Sequence, residues 1–551
     1  MTDPKRWFPF LAWPRPDTAL MRGEILAGLT VALIVVPQSV AYAALAGMPL
    51  VAGIYAAFLP SLVAVLWSAS PRLSVGPTAL SSLLVTASLT GLAEPGSAGW
   101  VALAVWLALL SGAMQMALGI GRFGWILNLV SSPVLAGFTQ AATVLILLSQ
   151  LPALVGVDVS WSQFLAAPQL DPRALAYGVG GLALLIAGKR FAPHFPTVMV
   201  VVVGAGLLSY LTHFGATHGA VVGPLPAGLP SLYWPGAIAL GTLGQLIVPA
   251  MVITLVSFLE TASSAKVENQ LTRTPWNENQ DLIAQGLAKI SSGLTASFPT
   301  SSSFSRSAIN LYAGAQTGWA TVVTVAVVLL VLLWLTPALY HVPTAVLSAV
   351  VIAAVIGLMK PRYFVHLWRV SRVEAVTSLV TFAVTLLTAP RLYWGVLAGV
   401  LLGLTYFLYQ RLHPRIIEVG LHPDGSLRDR HLWQLPPLAP ALYALRMDAE
   451  LDFAAASTLE RNITDHVAAH PEVHHVCLFA QPINRIDATG VEIFGQIQRT
   501  LAERGIVLHV SGIKLPVETV LARAGQFRTG EWLRSYRTDA EALGALQAGA
   551  A

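Results

Sequence analysis

A short polar stretch interrupts a largely apolar sequence. Residues Ser297–Asn310 contain six serines, a threonine, a proline and an arginine, and apolar segments long enough to cross a bilayer lie on either side. Hydrocarbon does not tolerate unpaired polar groups, so this stretch should face a protein interior or a water-filled cavity. At the start of a helix it would offer free backbone N–H groups, short hydroxyls and the positive end of a helix dipole, which are the components of an anion site.

A second stretch, Ser74–Ala79, holds the corresponding position in the first half of the chain. We predict that Pro77 and Pro299 each lie near the first turn of a half-helix, where the missing N–H of proline costs nothing. With seven spans in each half, the second half is inverted, and the two half-helices should meet N-terminus to N-terminus near the midplane. Corresponding interrupted segments of this kind indicate a transporter's binding site. The alternative is that proline and glycine merely kink two ordinary spans.

Arg306 and the polar side chains near the two half-helices form the predicted substrate site. Arg306 lies about two helical turns after Pro299 and would supply positive charge, the alternative being that it snorkels to the cytoplasmic interface. Gln38 and Tyr42 follow Pro37 on one helical face, although Tyr42 has an equal alternative in packing between helices. For Thr78 the alternative is an ordinary helix cap. The predicted substrate-binding residues are Gln38, Tyr42, Thr78, Ala79, Ser301, Ser302, Ser303 and Arg306.

Glu260 is the only acidic residue of the predicted eighth span. A carboxylate inside a membrane is by default a functional group, and we predict that it couples transport to H⁺ or Na⁺. Ser264 lies one turn later on the same face and is predicted to assist. The alternative is a structural pair between Glu260 and Lys266 or Arg306, or a position at the headgroup region.

The composition places the chain among polytopic membrane proteins. Of its 551 residues, 55% are hydrophobic and only 11% are charged, whereas soluble domains carry about 25% charged residues. The net charge of +5 fits basic cytoplasmic loops better than binding to nucleic acid. A single cysteine excludes an internal disulfide and a Cys-rich metal site. The sequence carries no nucleophile–base arrangement, phosphate loop or dinucleotide fingerprint, so we expect neither an enzyme nor a cofactor.

About fourteen apolar runs predict two sets of seven crossings, some too short to span about 30 Å of hydrocarbon alone. Residues 1–22 form an N-terminal lead, and residues 23–411 form the transmembrane domain, with repeats at about 23–215 and 240–411. Pro37 interrupts the first span and Pro249 the eighth. Basic residues concentrate in alternate loops, which predicts that both termini are cytoplasmic and that the protein lies in the inner (plasma) membrane.

The composition changes after Leu412. Residues 412–440 are rich in proline and charge and are predicted to be a linker. Residues 441–551 alternate between strand and helix patterns, which predicts a small cytoplasmic α/β domain with a partly parallel sheet. Four of its histidines (His466, His470, His474 and His475) are predicted to be surface-exposed, and their spacing fits no metal motif.

Several segments together resemble the SulP (sulfate permease-type) anion transporter family. The segments are Val36–Ala43, Leu45–Gly47, Ser74–Pro77, Phe304–Ser307 and, near the C-terminus, Ile486–Gly490. The last is similar to the core turn of a STAS domain. The resemblance implies a seven-plus-seven inverted repeat divided into core and gate domains, with substrate held between the third and tenth spans. It also implies elevator-like movement and a homodimer.

One position departs from related STAS proteins, in which the serine after the aspartate is phosphorylated. Here that residue is Ala488, and Thr489 is better explained as a helix cap, so regulation by that route is not expected, although the domain could bind a regulatory protein.

Taken together, the sequence predicts a secondary transporter of a small anion of the sulfate, bicarbonate or dicarboxylate class. Coupling to H⁺ or Na⁺ is expected, and an uncoupled exchanger or channel on the same fold is the alternative. A membrane-anchored STAS interaction module would need no polar stretches inside its spans, and a nucleobase permease would not usually carry a STAS domain.

Overall fold

The computed structural model describes residues 8–157, 161–166, 170–192, 195–217, 219–273 and 275–549. The chain divides into two compact units, Met1–Gly403 and Leu404–Ala551. The first unit is built from helices, and the second is built around a six-stranded sheet.

Helices of the first half run from Thr18 to Leu211, and three of them are short. The helices are α1 (Thr18–Leu45), α2 (Leu50–Trp67), α3 (Ala79–Leu89), α4 (Ala98–Ile120), α5 (Ser132–Leu154), α6 (Trp161–Ala166), α7 (Pro172–Phe191) and α8 (Thr197–Leu211). Apart from α6, they occupy the positions of the seven predicted crossings.

The second half repeats this pattern. Its helices are α9 (Leu240–Thr272), α10 (Glu278–Leu294), α11 (Phe304–Tyr312), α12 (Trp319–Leu330), α13 (Thr344–Ile356), α14 (Arg362–Val370), α15 (Arg372–Leu387) and α16 (Tyr393–Leu412). A π-helical turn, Val331–Leu335, extends α12. Seven of these helices match the predicted crossings, and α14 is an additional amphipathic helix. Among the described helices of both halves, eight are long and apolar enough to cross a membrane by themselves.

Two of the predicted interruptions are wrong in detail. Pro37 lies inside the continuous helix α1, and Pro249 lies inside the continuous helix α9. A proline in a helix removes one hydrogen bond and bends the helix, but it need not end it when the rest of the span is apolar and buried.

The third and tenth spans begin later than predicted, because a short strand precedes each helix. Strand β1 (Val75–Gly76) pairs antiparallel with strand β2 (Ser301–Ser302). Thr78 is the N-cap of α3, and Ser303 is the N-cap of α11. Pro77 and Pro299 therefore stand before the caps rather than in the first turns. Backbone groups that cannot be left unpaired inside a membrane are satisfied by the two-strand ladder instead of by a longer helix.

The C-terminal unit contains a sheet whose strand order is β4-β3-β5-β6-β7-β8. The strands are β3 (Ile416–Leu421), β4 (Leu427–Asp429), β5 (Leu442–Met447), β6 (His475–Phe479), β7 (Val507–Ser511) and β8 (Leu533–Tyr536). Strands β5 to β8 are parallel, while β3 is antiparallel to both of its neighbours. The helices are α17 (Ala456–Ala469), α18 (Ala488–Glu503), α19 (Leu515–Arg523) and α20 (Asp539–Gly549).

The predicted linker at 412–440 is wrong, because β3 and β4 belong to the sheet. Ile417 and Val419 of β3 are buried with Leu442 of β5 and Leu546 of α20 on one face of the sheet. Apolar side chains at alternate positions of a strand secure it against the sheet. Proline and charge in the surrounding turns concealed this alternation.

A row of three polar rings crosses the same face of the sheet. His509 of β7 is 2% exposed, and its ring nitrogens lie 3.1 Å from His475 Nδ1 and 3.1 Å from the hydroxyl of Tyr536. His475 is half-buried, as is His466, which stacks on Tyr443. The prediction that the four histidines are surface-exposed therefore holds only for His470 and His474.

We expect His509→Gln to flatten the pH dependence of the stability of the C-terminal unit. Burial, assisted by the nearby charges of His475 and Arg534, lowers the pKa of His509 from 6.5 to about 4. The His509 ring therefore takes up a proton at a higher pH in the unfolded chain than in the folded chain. Neutral His509 contributes its full stabilisation of the fold above pH 6.5, and this stabilisation is lost as the pH falls towards 4. Over that range the free energy of unfolding should fall by on the order of 2 kcal/mol less in the variant than in wild type.

Protection factors for hydrogen exchange of the β7 amides in the full-length protein measure this difference. His470→Gln changes an exposed histidine and should keep the wild-type slope. Equal slopes for wild type and His509→Gln would contradict the expectation.

Candidate anion site

Two helix N-termini meet at the β1–β2 ladder. Because the strands are antiparallel and each leads into a helix, α3 and α11 leave the ladder in opposite directions. Ser303 N–H also donates to the carbonyl of Ser74 at 2.9 Å, which joins the two segments beyond the ladder itself. The positive ends of two helix dipoles therefore point towards one region, as the sequence predicted.

Arg306 lies in the first turn of α11 and crosses to the other half of the chain. It is 1% exposed. Its guanidinium donates to the Pro77 carbonyl at 3.0 Å, to Ser74 Oγ at 3.3 Å and to Gln38 Oε1 at 3.4 Å. The alternative of an arginine snorkelling to the interface is wrong. Arg306 is also one turn closer to the helix start than predicted, since α11 begins at Phe304 and not at Pro299.

All three of these bonds end on uncharged oxygens. A hydrogen bond to a carbonyl or hydroxyl satisfies an N–H group without neutralising the charge of the guanidinium. The positive charge of Arg306 therefore adds to that of the two helix termini. A buried cation at convergent positive dipole ends is an electrostatic arrangement suited to an anion.

Glu260 of α9 lies against the start of α3. Thr78 Oγ1 is 3.4 Å from Glu260 Oε2, and the Ser301 side chain lies near this carboxyl group. Thr78 thus has two roles, because its Oγ1 accepts the Ser81 N–H as the cap of α3. The Glu260 carboxyl group therefore lies beside the cap of α3, whereas Lys266 is exposed at the end of the span.

Ser264 does not reach the carboxylate. Its hydroxyl donates to the backbone carbonyl of Glu260 at 2.9 Å, and the hydroxyl of Thr261 does the same to the carbonyl of Ser257. Such bonds to the preceding turn are common for hydroxyls in helices and leave little capacity for a ligand.

The remaining predicted residues are brought together around the ladder. Gln38, Tyr42, Ala79, Ser301 and Ser302 are all buried. Ser301 Oγ lies 3.5 Å from the carbonyl of Ser257, whereas Ser302 Oγ has no hydrogen-bond partner within the described part of the chain. Ser303 is the α11 cap and is half-buried.

The sequence reasoning missed two features of the site. Phe304 and Ser305, directly after the α11 cap, are exposed. Lys289 of α10 is fully buried and donates to Ser257 Oγ at 2.7 Å. The signal for Lys289 was available, because a lysine inside an apolar run meets the same criterion that selected Glu260.

Two buried carboxylates of this unit, Glu24 and Asp281, have structural roles. Glu24 accepts from the backbone N–H groups of Gln316, Thr317 and Ala320 at 2.8–2.9 Å, and so caps the segment that starts α12. Asp281 accepts from the hydroxyls of two loop serines at 2.6 and 2.8 Å and from Trp276 Nε1 at 2.7 Å. Both acids are well supplied with donors, whereas Glu260 has only long or shared ones.

A model of the sulfate permease family matches residues 21–381. The chain belongs to the sulfate permease family. A STAS domain model matches residues 438–542, so the C-terminal unit contains a STAS domain, as the sequence predicted.

Among the relatives, the chain is similar to "Probable sulfate transporter 4.2" of Arabidopsis thaliana, with 31% identity over 94% of this chain and 80% of that one. It is 31% identical to "Probable sulfate transporter Rv1739c" of Mycobacterium tuberculosis, over 92% and 91% of the two chains. It is 30% identical to "Sodium-independent sulfate anion transporter" of Bos taurus, over 94% and 88%.

Solved structures share the fold. SLC26A9 matches with a TM-score of 0.87 at 20% identity, over 99% of this chain and 93% of that one. The transmembrane domain of the cyanobacterial bicarbonate transporter BicA matches with a TM-score of 0.61 at 23% identity, over 70% and 98%. The predicted fold class, a polytopic helical membrane protein of two inverted repeats with a C-terminal STAS domain, is confirmed.

We expect Glu24→Gln to destabilise the helical unit by about 3 kcal/mol, because an amide group would turn a donor towards backbone donors that need an acceptor. The midpoint of denaturant unfolding of the purified protein in detergent measures the effect. Glu94→Gln, in the exposed loop before α4, is the matched control and should leave the midpoint unchanged. An equally unchanged midpoint for Glu24→Gln would show that the cap is dispensable.

Proposed function

We propose that the protein is a secondary transporter of a small oxyanion, of the sulfate, bicarbonate or dicarboxylate class. The anion would bind at the ladder between α3 and α11. The observation that carries this proposal is Arg306, whose charge is buried at two convergent helix termini and whose three guanidinium bonds within the described residues end on neutral oxygens. The names of the relatives, all sulfate transporters, support sulfate as the first anion to test.

Coupling to a cation is the second part of the proposal. Glu260 adjoins both Thr78 and Ser301, so its charge state acts on the same residues that would hold the anion. A carboxylate there would carry H⁺, or bind Na⁺, in the course of an elevator-type movement of the core against the gate. The name of the Bos taurus relative, which specifies sodium independence, favours H⁺ over Na⁺.

The second candidate is an uncoupled anion exchanger or channel on the same scaffold. The burial of Lys289 near Glu260 favours it, because a neighbouring ammonium can keep a carboxylate charged through the whole cycle without a transported cation. The two candidates differ in whether Glu260 binds and releases a cation during transport.

We further propose a location in the plasma membrane with both termini in the cytoplasm, and assembly as a homodimer. The basic residues of alternate loops support the orientation. The STAS domain would then lie in the cytoplasm, where it could bind a regulatory protein.

We expect Arg306→Ala to weaken sulfate binding at least tenfold, because a hydrogen bond to a charged group contributes about 1.5–3 kcal/mol and 1.4 kcal/mol corresponds to a factor of ten. Arg306→Lys keeps the charge but loses the planar fork and should be intermediate. Binding of labelled sulfate to purified protein gives the affinities, with the exposed Arg362→Ala on α14 as control. Wild-type affinity in Arg306→Ala would make the arginine a structural residue only.

We expect Glu260→Gln to abolish accumulation of sulfate against its gradient while leaving downhill influx intact, because the amide carries no exchangeable charge. Proteoliposomes with and without imposed H⁺ or Na⁺ gradients measure both quantities. Accumulation that persists in the variant would favour the uncoupled candidate. If wild-type protein takes up no sulfate, bicarbonate or dicarboxylate under either gradient, the proposed function is wrong.

A further inference from the structure

Lys289 is a buried ammonium group in the middle of the helical unit. It is 0% exposed, and its Nζ donates to Ser257 Oγ on α9 and to Gln115 Oε1 on α4. Both acceptors are neutral. A charged group inside a membrane protein is costly unless a charge of opposite sign is near, so these two bonds alone do not explain why a lysine is accommodated here.

The opposite charge is supplied by Glu260. It follows Ser257 by three residues on α9, so the two side chains lie on one face of that helix, one turn apart. Because Lys289 Nζ is bonded to Ser257 Oγ, its charge lies about one helical turn from the Glu260 side chain. Glu260 therefore has Thr78, the cap of α3, as a hydrogen-bond partner and the Lys289 side chain about one turn away along α9.

Close packing of α10 against α4 fixes Lys289 in this place. A Cβ added to Gly286 would come within 2.7 Å of the carbonyl of Gly112, and a Cβ on Gly112 would come within 2.8 Å of the carbonyl of Gly286. Lys289 lies one turn after this contact, facing Gln115 on α4. The backbones already touch, so α10 cannot approach or slide without a clash.

Other charged groups near Lys289 are engaged elsewhere or have the same sign. Asp281, two turns earlier on α10, is bonded to the hydroxyls of Ser68 and Ser70. Arg306 is positive and bonded to Pro77, Ser74 and Gln38. One carboxylate and two cations therefore leave one net positive charge at the site, which is available to the anion.

We propose that Lys289 is a tethered counter-cation that takes the place beside Glu260 where a coupling Na⁺ would bind, so that anion transport does not depend on Na⁺. A sodium ion at this carboxylate would lie within about one helical turn of the ammonium, and two like charges at that distance repel each other in a poorly solvated interior. This inference rests on the proposed anion site at Arg306 and assigns the ion selectivity of that site to Lys289.

Lys289→Met tests the proposal, because methionine fills similar space without the charge. Downhill influx of labelled sulfate is measured in proteoliposomes at pH 7.5, with either Na⁺ or choline outside. Wild type should give equal rates in both media. In choline, the influx rate of the variant should be at least tenfold below that of wild type. The rate should recover when Na⁺ is supplied or when the external pH is lowered to about 6. Lys266→Met changes an exposed lysine of the same helix as Glu260, is the matched control and should behave as wild type.

The double variant Glu260→Gln/Lys289→Met covers the case in which the single variant does not fold. Removing both charges should restore folding and give influx that is equal in Na⁺ and choline. Influx of Lys289→Met in choline within twofold of wild type would overturn the proposal. Wild-type influx stimulated severalfold by Na⁺, or a folded but inactive double variant, would also overturn it.

A measurement without transport separates this proposal from the proposed function. Replacing choline chloride by sodium chloride should raise the melting temperature of purified Lys289→Met and leave that of wild type unchanged, because only the variant has room for a cation beside Glu260. If wild-type protein transports no anion, the proposed function is wrong, whereas the counter-cation proposal stands or falls on this shift. A sodium-dependent shift in wild type, or none in the variant, would overturn it.

Discussion

The antiparallel pairing of Val75–Gly76 with Ser301–Ser302 is the contact on which the rest of the membrane unit depends. Two helices that stop inside a membrane leave backbone N–H groups without partners, and hydrocarbon offers none. Here the segments before the helices satisfy each other, and the caps Thr78 and Ser303 satisfy part of the first turns. The few donors that remain, together with Arg306, form a positive region enclosed by protein.

The carboxylates Glu24, Asp281 and Glu260 differ in how completely they are hydrogen-bonded. Glu24 and Asp281 have several short bonds each, and they hold loops and helix starts in place. Glu260 has a 3.4 Å bond to Thr78 and a neighbouring ammonium. A carboxylate whose environment is only partly arranged by the fold can respond to a ligand at small cost, whereas a fully bonded one cannot.

The sequence predicts the structure well in long segments with a periodic pattern of apolar residues, and poorly in segments of only a few residues. Fourteen apolar runs and the alternation in residues 441–551 lead to the correct fold class, because hydrophobic periodicity covers many residues. The two-residue strands at Val75 and Ser301 have no periodic signal, so the half-helices were expected to start at the prolines. Strands β3 and β4 were missed because turns rich in proline and charge separate them.

The site was predicted in its composition more than in its geometry. Arg306 and Glu260 stand out as charges in apolar surroundings, and that reasoning holds without any coordinates. Which atoms they meet depends on contacts between residues more than two hundred positions apart, such as Arg306 with Pro77. The direction of a hydroxyl, as in Ser264, is likewise set by the local helix and has no signature in the order of residues.

The order of synthesis follows from the same pairing of strands. Strand β1 leaves the ribosome more than two hundred residues before its partner β2, so α3 must enter the bilayer with its leading backbone unpaired. Early in translation, the first repeat therefore contains an exposed edge that a chaperone, the insertion machinery or water must cover. The anion site can therefore form only after Ser302 has been synthesised, and a chain released before that residue would have no such site at all.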